Sequence, residues 1–160
     1  MKNKAIFLDR DGVINRERGY TFRLEDFEIL PDVPEVLLTL QKKGYLLIVV
    51  SNQSGIAKGL YLQKHAEMLH KFMLKELEKK KIKISEIYYC MHHPDTGKCI
   101  CRKPDSLFLE KAMARFNIDP LKSYMIGDKD RDVMAASKAG VKGILIEANS
   151  SLKNIISAIA

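Results

Sequence analysis

Ala5-Ile6-Phe7-Leu8 runs directly into Asp9-Arg10-Asp11-Gly12, and this junction decides how the chain is read. Four apolar residues stopped by charge and glycine predict a short buried strand. Residues two apart in extended backbone point to one side, so Asp9 and Asp11 should project together from the strand's end. Two carboxylates so placed can flank one reacting centre, one as nucleophile and one as proton donor. They also offer hard oxygen ligands for Mg²⁺. A lone Asp-x-Asp is more often a polar turn, and it is the remainder of the chain that argues for chemistry.

Beyond this junction, strand and helix patterns alternate. Asp32 and Pro34 open a helix that carries Val36, Leu37 and Leu40 on one side and stops at Gly44. The apolar run Tyr45 to Val50 predicts a second strand, ending at Ser51-Asn52-Gln53-Ser54-Gly55. A long helix follows, with Leu62, Ala66, Leu69 and Leu77 at helical spacing. Ile84 to Tyr89 predicts a third strand. Pro104 suits the first turn of a helix running to Phe116. Tyr124-Met125-Ile126 is a fourth strand, closed by Gly127-Asp128-Lys129. The helix behind it ends at Gly140, and Gly143 to Ile146 gives a fifth strand. Ser150 or Ser151 could cap a short final helix. The alternation predicts an α/β fold, a doubly wound parallel sheet with helices on both faces, as a single domain over 1–160.

The 160 residues suffice for one core, and 46% hydrophobic with 29% charged residues is ordinary for a soluble globular chain. No apolar run reaches the length of a membrane span, and Met1-Lys2-Asn3-Lys4 leads straight into a strand, so a cytoplasmic location without membrane association is expected. The net charge of +7 invites a nucleic-acid reading. Much of the excess, however, sits at Lys79, Lys80, Lys81 and Lys83, where cations suit a helix C-terminus and solvate the surface. No arginine stripe or stacking motif accompanies them, so no nucleic-acid partner is expected. The three cysteines argue against a disulfide framework.

In open parallel sheets, ligands bind beyond the carboxyl ends of the strands. There the pattern gathers Asp9 and Asp11, Ser51 and Asn52, and Asp128 and Lys129, with Arg102-Lys103 within reach. Each has a dull explanation as a turn former, cap or surface charge. Several such clusters at one edge are better explained as a phosphoryl-transfer site.

Phe7-Leu8-Asp9-Arg10-Asp11-Gly12-Val13, Ser51-Asn52-Gln53-Ser54-Gly55, Arg102-Lys103-Pro104 and Gly127-Asp128-Lys129 resemble the ordered motifs of the haloacid dehalogenase (HAD) phosphatases. Within that superfamily the chain is most similar to the heptose bisphosphate phosphatase branch, with the histidinol-phosphate phosphatases as its relatives. The resemblance implies a Rossmann-like fold without a large cap domain, acting on a small phosphorylated sugar; a monomer is expected. It implies that Asp9 attacks phosphorus and that Asp11 protonates the leaving oxygen and then activates water. It implies Mg²⁺ held by the carboxylates of Asp9 and Asp128 and the backbone carbonyl of Asp11. Ser51 and Lys103 would stabilise the transferring phosphoryl group, and Arg102 would recognise substrate. Glu17, Arg18, Gly19, Tyr20, Ser51, Asn52, Gln53, Ser54 and Lys129 match the branch's substrate-contacting positions.

The second constellation is Cys90, His92, Cys99 and Cys101. Three thiolates and an imidazole complete a tetrahedral Zn²⁺ shell with no position for water, so such a site is structural. His93 competes with His92, and the family's Cys-x-His pattern selects His92. Because Cys101 adjoins Arg102 and Lys103, the zinc loop would position both cations. Two rival functions remain at this stage. One is a histidinol-phosphate phosphatase; the other is a basic zinc-loop module that binds nucleic acid.

Overall fold

A computed structural model describes residues Met1–Ile159. Five strands, β1 (Lys4–Leu8), β2 (Tyr45–Asn52), β3 (Ile84–Cys90), β4 (Tyr124–Gly127) and β5 (Lys142–Leu145), form one parallel sheet in the order β3-β2-β1-β4-β5. Between them run α1 (Val33–Lys42), α2 (Gln63–Lys79), α3 (Leu107–Phe116) and α4 (Asp130–Lys138). The doubly wound α/β expectation therefore holds, and no inserted cap domain interrupts the described residues.

The period of two along β1 explains the two-sided core. Ile6 and Leu8 pack with Val36, Leu37 and Leu40 of α1 and with Leu69, Met73 and Leu77 of α2. Ala5 and Phe7, on the other face, pack with Leu109 and Ala112 of α3 and Ala135 and Ala136 of α4. Ala5, Ile6, Phe7 and Leu8 are all fully buried, as a strand covered on both faces requires. Ile6, Phe7 and Leu8 each contribute about 2 kcal/mol on burial.

The connections place the site. The chain winds from β1 to β2 to β3 in one direction, then crosses back to add β4 and β5 on the other side of β1. Helices leaving β1 and β4 thus diverge to opposite faces. The crevice where the winding reverses lies beyond the carboxyl ends of these two neighbours. Asp9 follows β1 and Asp128 follows β4.

Several predicted boundaries move. Ser51 and Asn52 are not loop residues: they close β2, because Ser51 pairs with Tyr89 and Asn52 with Cys90. Pro104 is not in the first turn of α3, which starts only at Leu107; it lies in the preceding turn, after a cis Lys103–Pro104 peptide. The final helix is a 3-10 segment, Lys153–Ala158, where Ser151 Oγ accepts from Lys153 N at 3.2 Å. Asp32 precedes α1 but does not cap it. Its carboxylate accepts instead from Ser151 Oγ and Leu152 N, at 2.6 and 2.7 Å, tying the C-terminal segment to the start of α1. Among the described residues, no helix is long and apolar enough to cross a membrane.

Candidate active site

The crevice between β1 and β4 opens into a cleft of about 410 Å³ lined by Asp9, Asp11, Glu17, Gly19, Tyr20, Asn52, Gln53, Ser54, Arg102, Asp128 and Lys129, all predicted site residues. Lys103 and Ser51 lie beneath its floor, each 1% exposed. Arg18 alone turns away, its guanidinium donating to Glu28 Oε2 at 2.6 Å.

Lys103 is the centre of the floor. Three oxygens surround its ammonium: Val50 O at 2.6 Å, Asp9 Oδ1 at 2.9 Å and Asp132 Oδ1 at 2.6 Å. Burial alone would lower its pKa, but the two carboxylates outweigh that and hold it charged. Asn52 locks the same residue through its backbone, accepting from Lys103 N and donating to Lys103 O, both at 3.0 Å. In this state Lys103 therefore supports Asp9 from below. The Asn52 amide, expected at substrate, is committed to Lys103.

Burial raises the Asp9 pKa, Lys103 pulls it back, and the charges of Asp132 and Asp11 push it up again, to about 7. A further positive charge at this spot would restore the carboxylate, and the surroundings fit one. Both oxygens of Asp128 are buried without a hydrogen-bond donor, and the Lys129 ammonium is 3.5 Å away. Oxygens of Asp9, Asp128 and Asp132 all lie within 4.8 Å of one another. Three converging carboxylates, one of them orphaned, form a donor set for a hard divalent cation. Gly12 makes room for it: its φ of +85° suits glycine, and a Cβ there would stand 2.7 Å from Asp128 Oδ2.

Asp11 is held differently. Arg10 Nη2 donates to both its oxygens, Asn15 Nδ2 to Oδ1 at 2.9 Å, and Gln53 Nε2 to Oδ2 at 3.1 Å. Gln53 also donates to Ser51 Oγ at 2.8 Å and is fixed by the Tyr61 hydroxyl at 2.6 Å. The rim carries Tyr20, whose hydroxyl accepts from Lys58 Nζ at 2.8 Å. Glu17 accepts from Gly19 N at 2.6 Å, and burial raises its pKa. Asn149 accepts from Glu17 N at 2.6 Å, joining the C-terminal segment to this loop.

The sequence reading missed Asp132, Arg10, Lys58, Tyr61, His93, Asn149 and Arg131. Asp132 had a usable signal, lying one helical turn beyond Asp128. It accepts from Lys129 N at 3.0 Å as α4 begins.

Cys90, His92, Cys99 and Cys101 converge as expected, their ligand atoms within 4.8 Å of one another. Cys90 Sγ is 3.4 Å from His92 Nδ1 and 3.1 Å from Cys101 Sγ. Four such groups fit a tetrahedral metal site. His93 points elsewhere, lining the cleft and accepting from Asp95 N at 3.1 Å. Arg102 Nη1 donates to His92 O at 3.4 Å, linking this loop to the cleft wall.

A parallel sheet with converging carboxylates at its switch point fits a class, the HAD-like hydrolases, and residues 100–156 match the HAD-hydrolase-like family model. The chain is 43% identical to the D-glycero-beta-D-manno-heptose-1,7-bisphosphate 7-phosphatase of Haemophilus ducreyi, over 89% of this chain and 81% of that protein. It is 42% identical to the D-glycero-alpha-D-manno-heptose-1,7-bisphosphate 7-phosphatase of Campylobacter jejuni, over 96% and 87%. The crystal structure of D,D-heptose 1,7-bisphosphate phosphatase from B. bronchiseptica, complexed with magnesium and phosphate, superposes with a TM-score of 0.82. It is 31% identical, covering 89% of this chain and 79% of that one. The chain belongs to the heptose-1,7-bisphosphate 7-phosphatase family of HAD-like hydrolases.

Proposed function

We propose that the chain is a Mg²⁺-dependent phosphomonoesterase that removes the 7-phosphate of D-glycero-D-manno-heptose 1,7-bisphosphate. The observation that carries the reading is Asp9 at the foot of the switch-point cleft, its carboxylate aligned by Lys103 beside the donorless Asp128. Asp9 attacks phosphorus; the bond from phosphorus to the sugar oxygen breaks, and that oxygen leaves with its electron pair and takes the proton of Asp11. Asp11, now a carboxylate, takes a proton from water. The resulting hydroxide displaces Asp9 from phosphorus and releases phosphate.

Asp9 and Asp128, with the Asp11 carbonyl, would hold Mg²⁺, which lowers the repulsion between an anionic phosphate and an anionic nucleophile. Ser51 and Lys103 hold the transferring group's end of the cleft. Arg102 and Lys129 face the remainder of the substrate, where a second phosphate gives a guanidinium a charge-assisted partner. Cys90, His92, Cys99 and Cys101 would hold a structural Zn²⁺ that keeps Arg102 in place. A monomeric, cytoplasmic enzyme fits this reading.

Wild-type protein with Mg²⁺ should show a higher kcat/KM for heptose 1,7-bisphosphate than for heptose monophosphates or histidinol phosphate. Preference for histidinol phosphate would transfer the chain's activity to the related branch. Absence of hydrolysis across the panel would sink the phosphatase reading.

A further inference from the structure

Arg10 is wholly buried, and a guanidinium in that state needs partners around its fork. Nη2 donates to Asp11 Oδ1 and Oδ2 at 3.0 and 3.1 Å and to Thr21 O at 3.2 Å, and Nε to Asp11 Oδ1 at 3.3 Å. Nη1 lies 3.1 Å from His70 Nε2. His70 belongs to α2, is buried beside Leu69 and Met73 and meets the Tyr89 ring edge-on at 5.0 Å. Arginine nitrogens can only donate, so His70 Nε2 must offer a lone pair and the ring must be neutral. Burial and the adjacent guanidinium favour that state, pushing the His70 pKa down to about 3. A buried histidine that accepts from a buried arginine, which in turn grips one carboxylate, has no role in packing that leucine would not fill better.

We propose that His70 and Arg10 are positioning residues for Asp11. His70 anchors the guanidinium from behind, and Arg10 fixes the orientation in which the Asp11 carboxylate faces the cleft. The proposal rests on the reading of Asp11 as acid and base. Asp9 is held by a separate set of partners, Lys103 and through it Val50, Asp132 and Asn52. The relay therefore separates nucleophilic attack at Asp9 from proton transfer at Asp11. Loss of the anchor spares attack by Asp9 and impairs the steps that need a proton moved at Asp11.

4-Nitrophenyl phosphate resolves these steps, because nitrophenolate leaves without a proton from Asp11 whereas hydrolysis of the phosphorylated Asp9 still needs Asp11 to take a proton from water. His70→Leu, with Mg²⁺, should release a burst of nitrophenolate near one equivalent per chain, followed by turnover reduced about thirtyfold. His70→Gln, whose amide oxygen can accept from Arg10, should recover turnover to within about threefold of wild type. Arg10→Lys keeps the charge and loses the fork, so it should share the burst and the slow turnover, and it carries the prediction if His70→Leu does not fold. Wild-type turnover in His70→Leu, or burst and turnover falling in the same proportion, would overturn the relay. Asp9→Asn separates this outcome from failure of the underlying reading. An active Asp9→Asn removes the covalent mechanism itself, whereas an inactive one beside a fully active His70→Leu removes only the relay.

Discussion

At the cleft floor, Asp9, Lys103, Asp128 and Asp132 come from three separate places in the chain and are brought together by strand ends and the start of α4. The cysteine loop instead gathers Cys90, His92, Cys99 and Cys101 from residues 90–101, and these side chains converge chiefly on one another. Three floor residues are almost fully buried, and Lys103 is locked at backbone and side chain alike. The loop's His92 is exposed, and Cys99 and Cys101 are only half-buried. The topology of the sheet holds the first region, whereas the second has no core of its own and a bound ion would serve as one.

The largest effect should come from breaking the floor. Lys103→Met strands Asp9 and Asp132 as unpaired buried carboxylates, which should cost about 3–5 kcal/mol of stability and reduce turnover about 10³-fold. Denaturant melts and steady-state kinetics measure both; an unchanged melt would mean that the three-oxygen nest around Lys103 is not a structural keystone.

Breaking the loop should do less. Cys99→Ser should reduce zinc content below one per chain and weaken metal affinity about 10- to 100-fold, while the sheet's far-UV signal is kept. Activity should fall through Arg102, with KM affected more than kcat. Full activity in zinc-free protein purified without chelator would detach the loop from the cleft.

The effect that vanishes at neutral pH concerns acid stability. The folded His70 pKa, about 3, lies below the unfolded value near 6.5, so only the unfolded chain takes up this proton between them. Stability should therefore be lost as pH falls from about 6.5 towards 3, by up to about 1.4 kcal/mol per unit from this group. Burial and Arg10 act on His70 against Asp11, and Tyr89 is its ring neighbour. His70→Gln should flatten the acid slope relative to wild type; identical slopes would show that the ring is protonated in the folded chain.

The sequence was legible where chemistry coincided with periodicity. Apolar strands stopping at Asp9, Ser51 and Asp128 announced both the sheet and the edge that carries the site. Close spacing announced the cysteine cluster, and the structure distinguishes His92 from His93 by sending the second into the cleft. What stayed hidden was long-range or buried. His70 looks like part of α2's amphipathic pattern, and its meaning depends on Arg10, sixty residues away. Asp132 occupies an ordinary first-turn acidic position until Lys103 is placed beneath it. Pro104 suggested a helix start by residue preference, yet α3 begins three residues later, because the Lys103 backbone is clamped by Asn52 in the turn before it.

The central claim is that Asp9 becomes phosphorylated. Acid-quenching wild-type enzyme during turnover of heptose 1,7-bisphosphate with Mg²⁺, then mapping phosphorylated peptides by mass spectrometry, should find the phosphoryl group on Asp9 and none in Asp9→Asn, which should also be inactive. Sustained turnover by Asp9→Asn, or an adduct mapped to another residue, would contradict the account.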